Sequence, residues 1–286
     1  MSAENEKGNG EEDFLNSRLF QIDTKNFQQT LIAVLLGFAV GGLLTWIAGY
    51  SPVDLFSNLI QGALGGKFEI GSWLSHSTPI IFTSLAFLIV LKSGLYNIGA
   101  EGQLYIGAFA AAWAGFSLNL PPYIHVAACL LIGAVAGAAW GFIPGLLKAK
   151  RGANEFVTSL MLSYIAIYLT RWFVSPGGPY HDPSKQANMT LPVAPTAQLS
   201  RILRPSQLTI AFFLAIIAAL VIFYLLRKTT LGYEIRVVGT NQEAAKFAGI
   251  SIPRAMMVSF ALGGALAGLA GAGVVIGDLS RFIQDF

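Results

Sequence analysis

The stretch Gly94-Leu95-Tyr96-Asn97-Ile98-Gly99-Ala100-Glu101-Gly102-Gln103 holds the residues best placed to do chemistry. Glu101 is the only Asp, Glu, Lys or Arg between Lys92 and Lys148, and apolar runs at residues 79–91 and 104–116 flank the stretch. A carboxylate at membrane depth costs about 3 kcal/mol on insertion scales unless it faces protein or water. Two roles answer that cost. Glu101 can pair with Asn97, Gln103 or backbone N–H groups where a helix breaks, or it can contact a polar solute directly. Asn97, Glu101 and Gln103 are therefore the residues expected along a solute pathway. Gly94, Gly99 and Gly102 each weaken ordinary helix by about 1 kcal/mol and permit positive φ. A broken helix or a tight helix junction inside a bundle fits this pattern, because irregular backbone is tolerated there.

A second stretch is built to cap a helix. Thr240-Asn241-Gln242-Glu243 has the form of a capping box, in which the Thr240 hydroxyl accepts the Glu243 N–H and the Glu243 carboxylate reaches back. Gly249 can then close the helix in the left-handed conformation. The residues between, including Ala244 and Ala245, form a helix too short to stand alone in water, so its own bundle or a docked partner must hold it.

Enzymatic and metal chemistry find no footing. Neither H-E-x-x-H nor G-x-S-x-G occurs, and His76, His125 and His181 lack metal-ligand spacing. No phosphate-binding G-x-x-x-x-G-K-[ST] loop is present, and Gly65-Gly66-Lys67-Phe68 lacks both the spacing and the hydroxyl. Cys129 is the single cysteine, which excludes a disulfide framework, and it reads as a packed core residue. No cofactor is expected.

The elements that must position these stretches are membrane helices. Of 286 residues, 54% are hydrophobic and 12% charged, against roughly 25% charged in soluble domains. Mean hydropathy is +0.61. The net charge of +3 is small and the basic residues lie in loops, which sets topology and offers no patch for nucleic acid. The expected fold is all-α: a polytopic transmembrane bundle with about seven spans, at residues 27–47, 77–91, 99–116, 123–147, 155–173, 208–226 and 255–276. Residues 1–26 read as a disordered cytoplasmic tail and 27–286 as one membrane domain. Pro52–Leu64 has helical periodicity but is too short to span, so it is expected as an external interfacial helix. Six prolines between Ser175 and Ser206 make an irregular external loop. Gly133, Gly137, Gly141 and Gly145 recur every four residues and give one helix face for close packing. The clusters at 148–151 and 227–254 place those loops and the N-terminus in the cytoplasm, and Arg171 reads as an anchor near the outer interface.

Four blocks, in order, resemble the permeases of ATP-binding-cassette (ABC) importers for nucleosides and simple sugars, in the branched-chain amino acid permease-like superfamily. The first runs from Tyr96 to Gln103 and is similar to F-N-I-G-x-E-G-Q. The second joins Leu147-Lys148-Ala149, Asn154-Glu155-Phe156 and Met161-Leu162-Ser163-Tyr164. The third runs from Leu231 to Ile250 and the fourth from Ser259 to Gly271. The resemblance covers residues 79–277. It implies a transmembrane subunit of the cell membrane that binds no ATP itself. Two cytoplasmic ABC ATPase subunits, a second permease subunit and an extracytoplasmic substrate-binding lipoprotein or protein are its implied partners, with membrane lipid around it. It also implies that the short helix carrying Thr240, Asn241, Glu243, Ala244, Ala245 and Gly249 couples to the ATPase. Nucleosides are the implied cargo, with simple sugars second. The family continues beyond the position of Phe286 with further spans, so a chain lacking the usual C-terminal spans is expected. The rival from another class is an ion-coupled secondary transporter of a small polar solute, with Glu101 as the ion site.

Overall fold

A computed structural model describes residues 24–285, and the chain divides into two compact units at Gly65 and Gly66. Most of the expected tail at residues 1–26 lies outside the described residues; Thr24 already opens the first helix.

The first unit holds α1 (Thr24–Ile47) and α2 (Pro52–Leu64). Helix α1 is apolar on nearly every side, with Leu36, Leu44, Trp46 and Ile47 all exposed, which is the pattern of a helix made for lipid. Gly49, at φ +84, turns the chain, and the Ser51 hydroxyl then accepts the Asp54 N–H to start α2. Phe38 and Phe56 meet edge to face at 5.5 Å, which ties the two helices together.

The second unit contains α3 (Lys67–Leu91), α4 (Ala100–Ser117), α5 (Pro122–Arg151), α6 (Glu155–Val174), α7 (Ala211–Lys228), α8 (Thr230–Thr240), α9 (Gln242–Phe247) and α10 (Ile252–Val274). A π-helical turn, Val275–Leu279, extends α10. Helix α3 begins ten residues before the expected span at 77, because the Gly65-Gly66 break leaves Lys67 onward free to continue as helix. Six described helices are long and apolar enough to cross a membrane, and α4 is not among them. Its position explains this. Helix α4 packs on α5, α6 and α10, with half of its residues buried, so it needs no apolar exterior and can carry Glu101 and Gln103.

Helix α10 is the hub. It lies along α5 so closely that a Cβ on Gly141 would stand 2.7 Å from the Phe260 carbonyl oxygen and 2.9 Å from Gly264 Cα. Gly133 and Gly137 face Gly264 and Gly268 in the same way, while Gly107 of α4 meets Gly268 from the other side. The four-residue glycine spacing is thus a backbone-to-backbone seam.

Each turn at the basic end of the bundle has a local cause. Gly152, at φ +64, closes α5, and Asn154 Oδ1 accepts the Phe156 N–H at 3.0 Å to open α6. Lys148 and Glu155 bridge the two ends at 2.8 Å. The opposite end carries the proline-rich loop, which is irregular except for one turn of 3-10 helix at Pro195–Ala197. It is nevertheless fastened. The Thr190 N–H donates to the Phe282 carbonyl, Val193 to Ser280 and Leu199 to Ile276, all within 3.0 Å. His125 of α5 is buried between Thr196 Oγ1 and the Ala114 carbonyl. Asp182 accepts from the Ser184 hydroxyl and N–H and lies 3.8 Å from Arg281. Those hydrogen bonds, with Arg281 and Lys185 behind them, hold its carboxyl below the ordinary value. A carboxyl lowered in the folded chain contributes stability above its ordinary pKa and loses it only as pH falls through the lowered value, so this latch is closed at neutral pH.

The seam gives a direct expectation. Gly137→Leu must push α5 and α10 apart, at a cost of about 1–3 kcal/mol or more, and should lower both the yield of monodisperse protein in detergent and its Tm. Gly37→Leu, where the new side chain meets nothing within 4 Å, should leave both near wild type.

Candidate functional site

The 94–103 stretch forms the junction between α3 and α4. Gly94, at φ +77, turns the chain after α3, and its Cα side lies against α8: a Cβ there would be 3.2 Å from Gly239 Cα. Beyond the turn, Asn97 and Gln103 are 2% and 1% exposed and face each other as an amide pair. Asn97 Nδ2 donates to Gln103 Oε1 at 3.0 Å, and Gln103 Nε2 donates to Asn97 Oδ1 at 3.1 Å. The same Asn97 oxygen accepts the Gly99 N–H at 3.1 Å, so both amides are used by the protein itself.

Glu101 stands apart from that pair. It is exposed in the single chain and makes no hydrogen bond or ion pair among the described residues. The structural partnership with Asn97 or Gln103 that the sequence allowed does not form, because those two amides satisfy each other and Glu101 lies on another face of α4. Its depth is set by its neighbour: the Gly102 N–H donates to Ser163 Oγ of α6 at 3.2 Å, two turns in from Glu155 at the basic end. Sequence reasoning read Arg171 as an interface anchor and missed its pairing with Asp285 at 3.1 Å, because 114 residues separate them.

Helices α8 and α9 form a hairpin at the basic end. Thr240 is the last residue of α8 and its hydroxyl donates to the Arg236 carbonyl at 2.9 Å, so it caps nothing. The expected capping box is corrected by one residue. The chain becomes extended at Asn241, and its Oδ1 accepts the Ala244 N–H at 3.1 Å as the N-cap of α9. Glu243 and Ala244 point outward, whereas Ala245 is fully buried against Val238 and Ala255. Gly249 closes the turn at φ +73. Phe247 is 90% exposed at the tip, a large apolar side chain with nothing of its own to cover it. The six-residue helix is therefore held from below by Ala245 and the caps, and it offers Phe247 outward.

A cavity of about 410 Å³ opens near the loop end between α3, α7 and α10, lined by Ser75, His76, Thr78, Leu104 and Asp278 among apolar residues. No cluster of metal-ligating side chains occurs among the described residues.

The amide pair makes a measurable claim. Gln103→Leu leaves the buried Asn97 amide short of a donor and an acceptor, a loss of about 1–3 kcal/mol, and should lower Tm in detergent. Adding Asn97→Leu removes the orphaned groups, so the double variant should lose less than the sum of the two single variants. Strict additivity would mean the two amides do not act as a pair.

Comparison with known proteins agrees with this architecture. Residues 69–280 match the family described as branched-chain amino acid transport system / permease component. The guanosine ABC transporter permease protein NupP of Bacillus subtilis is 37% identical over 85% of this chain and 70% of its own length. The nucleoside ABC transporter permease protein NupB of Lactococcus lactis is 34% identical over 92% of this chain and 74% of its own. The glucose ABC transporter permease protein TsgB13 of Haloferax volcanii is 34% identical over 90% and 70%. No solved structure matches. With its apolar helices, glycine seam and capped hairpin, this multi-pass membrane protein belongs to the branched-chain amino acid-type permeases of ABC transport systems.

Proposed function

We propose that the chain is the membrane subunit of an ABC importer that carries nucleosides into the cell and is driven by separate ATPase subunits. The observation that carries this reading is the α8–α9 hairpin. A fully exposed Phe247 at the end of a capped six-residue helix is built for a cleft on a partner, and a secondary transporter has no use for one. The basic residues 148–151 and 227–254 flank the hairpin and support a cytoplasmic position, with the N-terminus on the same side and the 175–206 loop outside. Nucleosides are favoured over sugars because two of the relatives at 34–37% identity are named for nucleosides and one for glucose. A second permease subunit and an extracytoplasmic binding protein complete the assembly on this reading.

Coupling has a short physical route. Gly239, in the α8 arm of the hairpin, lies against Gly94, the pivot of the 92–99 junction. Only Leu95, Tyr96, Asn97 and Ile98 separate that pivot from Gly99, the N-cap residue of α4. A displacement of the hairpin by an ATPase would therefore be passed to the inner end of α4 by backbone contact, with no flexible side chain between.

Uptake by the assembled transporter in reconstituted vesicles tests the reading. Labelled guanosine should enter only with ATP, and excess unlabelled nucleoside should compete where glucose does not. Phe247→Ser, at a site with no packing to lose, should leave membrane insertion intact and cut ATP-driven uptake at least tenfold. Uptake driven by an ion gradient without ATP would overturn the proposal.

A further inference from the structure

An exposed carboxylate and an exposed ion pair mark a polar strip between α4 and α6. Its inner end is Glu101, exposed and without a partner among the described residues, two turns inside the basic end of α6. Its outer end is the Arg171–Asp285 ion pair, with side chains 42% and 57% exposed. Ser163, which fixes the level of Glu101, and Arg171 are eight residues apart on α6, roughly 12 Å along the axis. Tyr105 lies between, one turn beyond Glu101 on α4, and is buried. The Tyr105 ring packs on Phe282 at 6.2 Å, and this contact brings the C-terminal segment and Asp285 down onto the strip. Arg171 also sits against Tyr168, at 5.7 Å from the ring centroid, while its buried Nε has no partner among the described residues.

Such a strip cannot face lipid. A carboxylate without a counter-charge at this depth must meet water or protein, and the buried guanidinium nitrogen likewise lacks an acceptor. The rest of α6 contrasts with it, since Phe156, Val157, Met161 and Ile165 are exposed and suit hydrocarbon. Resting on the nucleoside-importer reading above, we infer that the strip from Glu101 to Arg171–Asp285 is the wet wall of the translocation route, and that Glu101 is a specificity-determining residue that accepts hydrogen bonds from the hydroxyl or N–H groups of a nucleoside. The chemistry is that of an acceptor in a low-dielectric channel: a carboxylate takes two or more donors, and a ribose diol or a base N–H edge supplies them. Asn97 and Gln103, each spent on the other, have no such capacity. The passage thus runs along the α4–α6 groove and not through the amide pair.

The test uses the assembled transporter in open membrane fragments, with Cys129→Ala as background. Single cysteines are placed at Glu101 and, as a lipid-facing control, at Ile217 of α7, which is 54% exposed among apolar neighbours. A charged methanethiosulfonate reagent should modify position 101 at least tenfold faster than position 217, and guanosine should slow that reaction at least threefold. Glu101→Gln should assemble normally and raise the KM for guanosine uptake at least threefold. Modification at 101 as slow as at 217 would mean a dry interface with another subunit and would overturn the proposal, as would an unchanged KM in Glu101→Gln. A chain that serves another solute would still show fast modification at 101, while wild-type guanosine uptake and protection would both be missing. That outcome separates failure of the cargo assignment from failure of the wet wall.

Discussion

The contact between the α5 and α10 backbones is the constraint on which the second unit depends. Without a hydrophobic drive between helices in lipid, association rests on close packing, and glycine at 133, 137, 141, 264 and 268 lets the main chains touch along roughly two turns. That seam fixes α10 at the centre. Gly107 brings α4 onto it from the other side, and the Leu104 carbonyl of α4 meets Gly271.

The core allows polar chemistry where lipid would not. Because α4 is enclosed by α5, α6 and α10, its inner end can unwind into the 92–99 junction and hold a closed amide pair. The same enclosure leaves one side of α4 open beside α6, and that is where Glu101 emerges. The C-terminal residues complete the other end of this side. They return from the loop end with Phe282 fully buried among Tyr105 and Phe109, and they are stitched to the 188–199 segment by backbone hydrogen bonds. The proline-rich loop is thus a lid-like brace built on specific donors and acceptors.

Hydropathy and turn chemistry were enough to read the long helices, the short helix at Pro52–Leu64, the glycine face of α5 and the irregular loop, because each depends on residues close in sequence. The limits appear where distant residues decide. Helix α4 was expected as an ordinary span, yet it falls short of spanning hydropathy because its neighbours are protein. Thr240 and Asn241 are both good caps in isolation. Only the end of α8, which claims Thr240 for its last turn, selects Asn241. The Asn97–Gln103 pair and the Arg171–Asp285 bridge are side-chain matches that no spacing rule anticipates, and they divide the expected pathway residues into two that are structural and one, Glu101, left open.

The central claim is that the α8–α9 hairpin is where an ATPase grips this subunit. Site-specific cross-linking reads that contact most directly. With Cys129→Ala as background and a photoactivatable group attached to a cysteine at position 247, the account predicts one adduct with the mass of this chain plus an ATPase subunit. The adduct should be lost when the same group is carried at position 217. An ATPase that copurifies with the subunit but never cross-links from position 247 would contradict the account, and the docking surface would have to lie elsewhere.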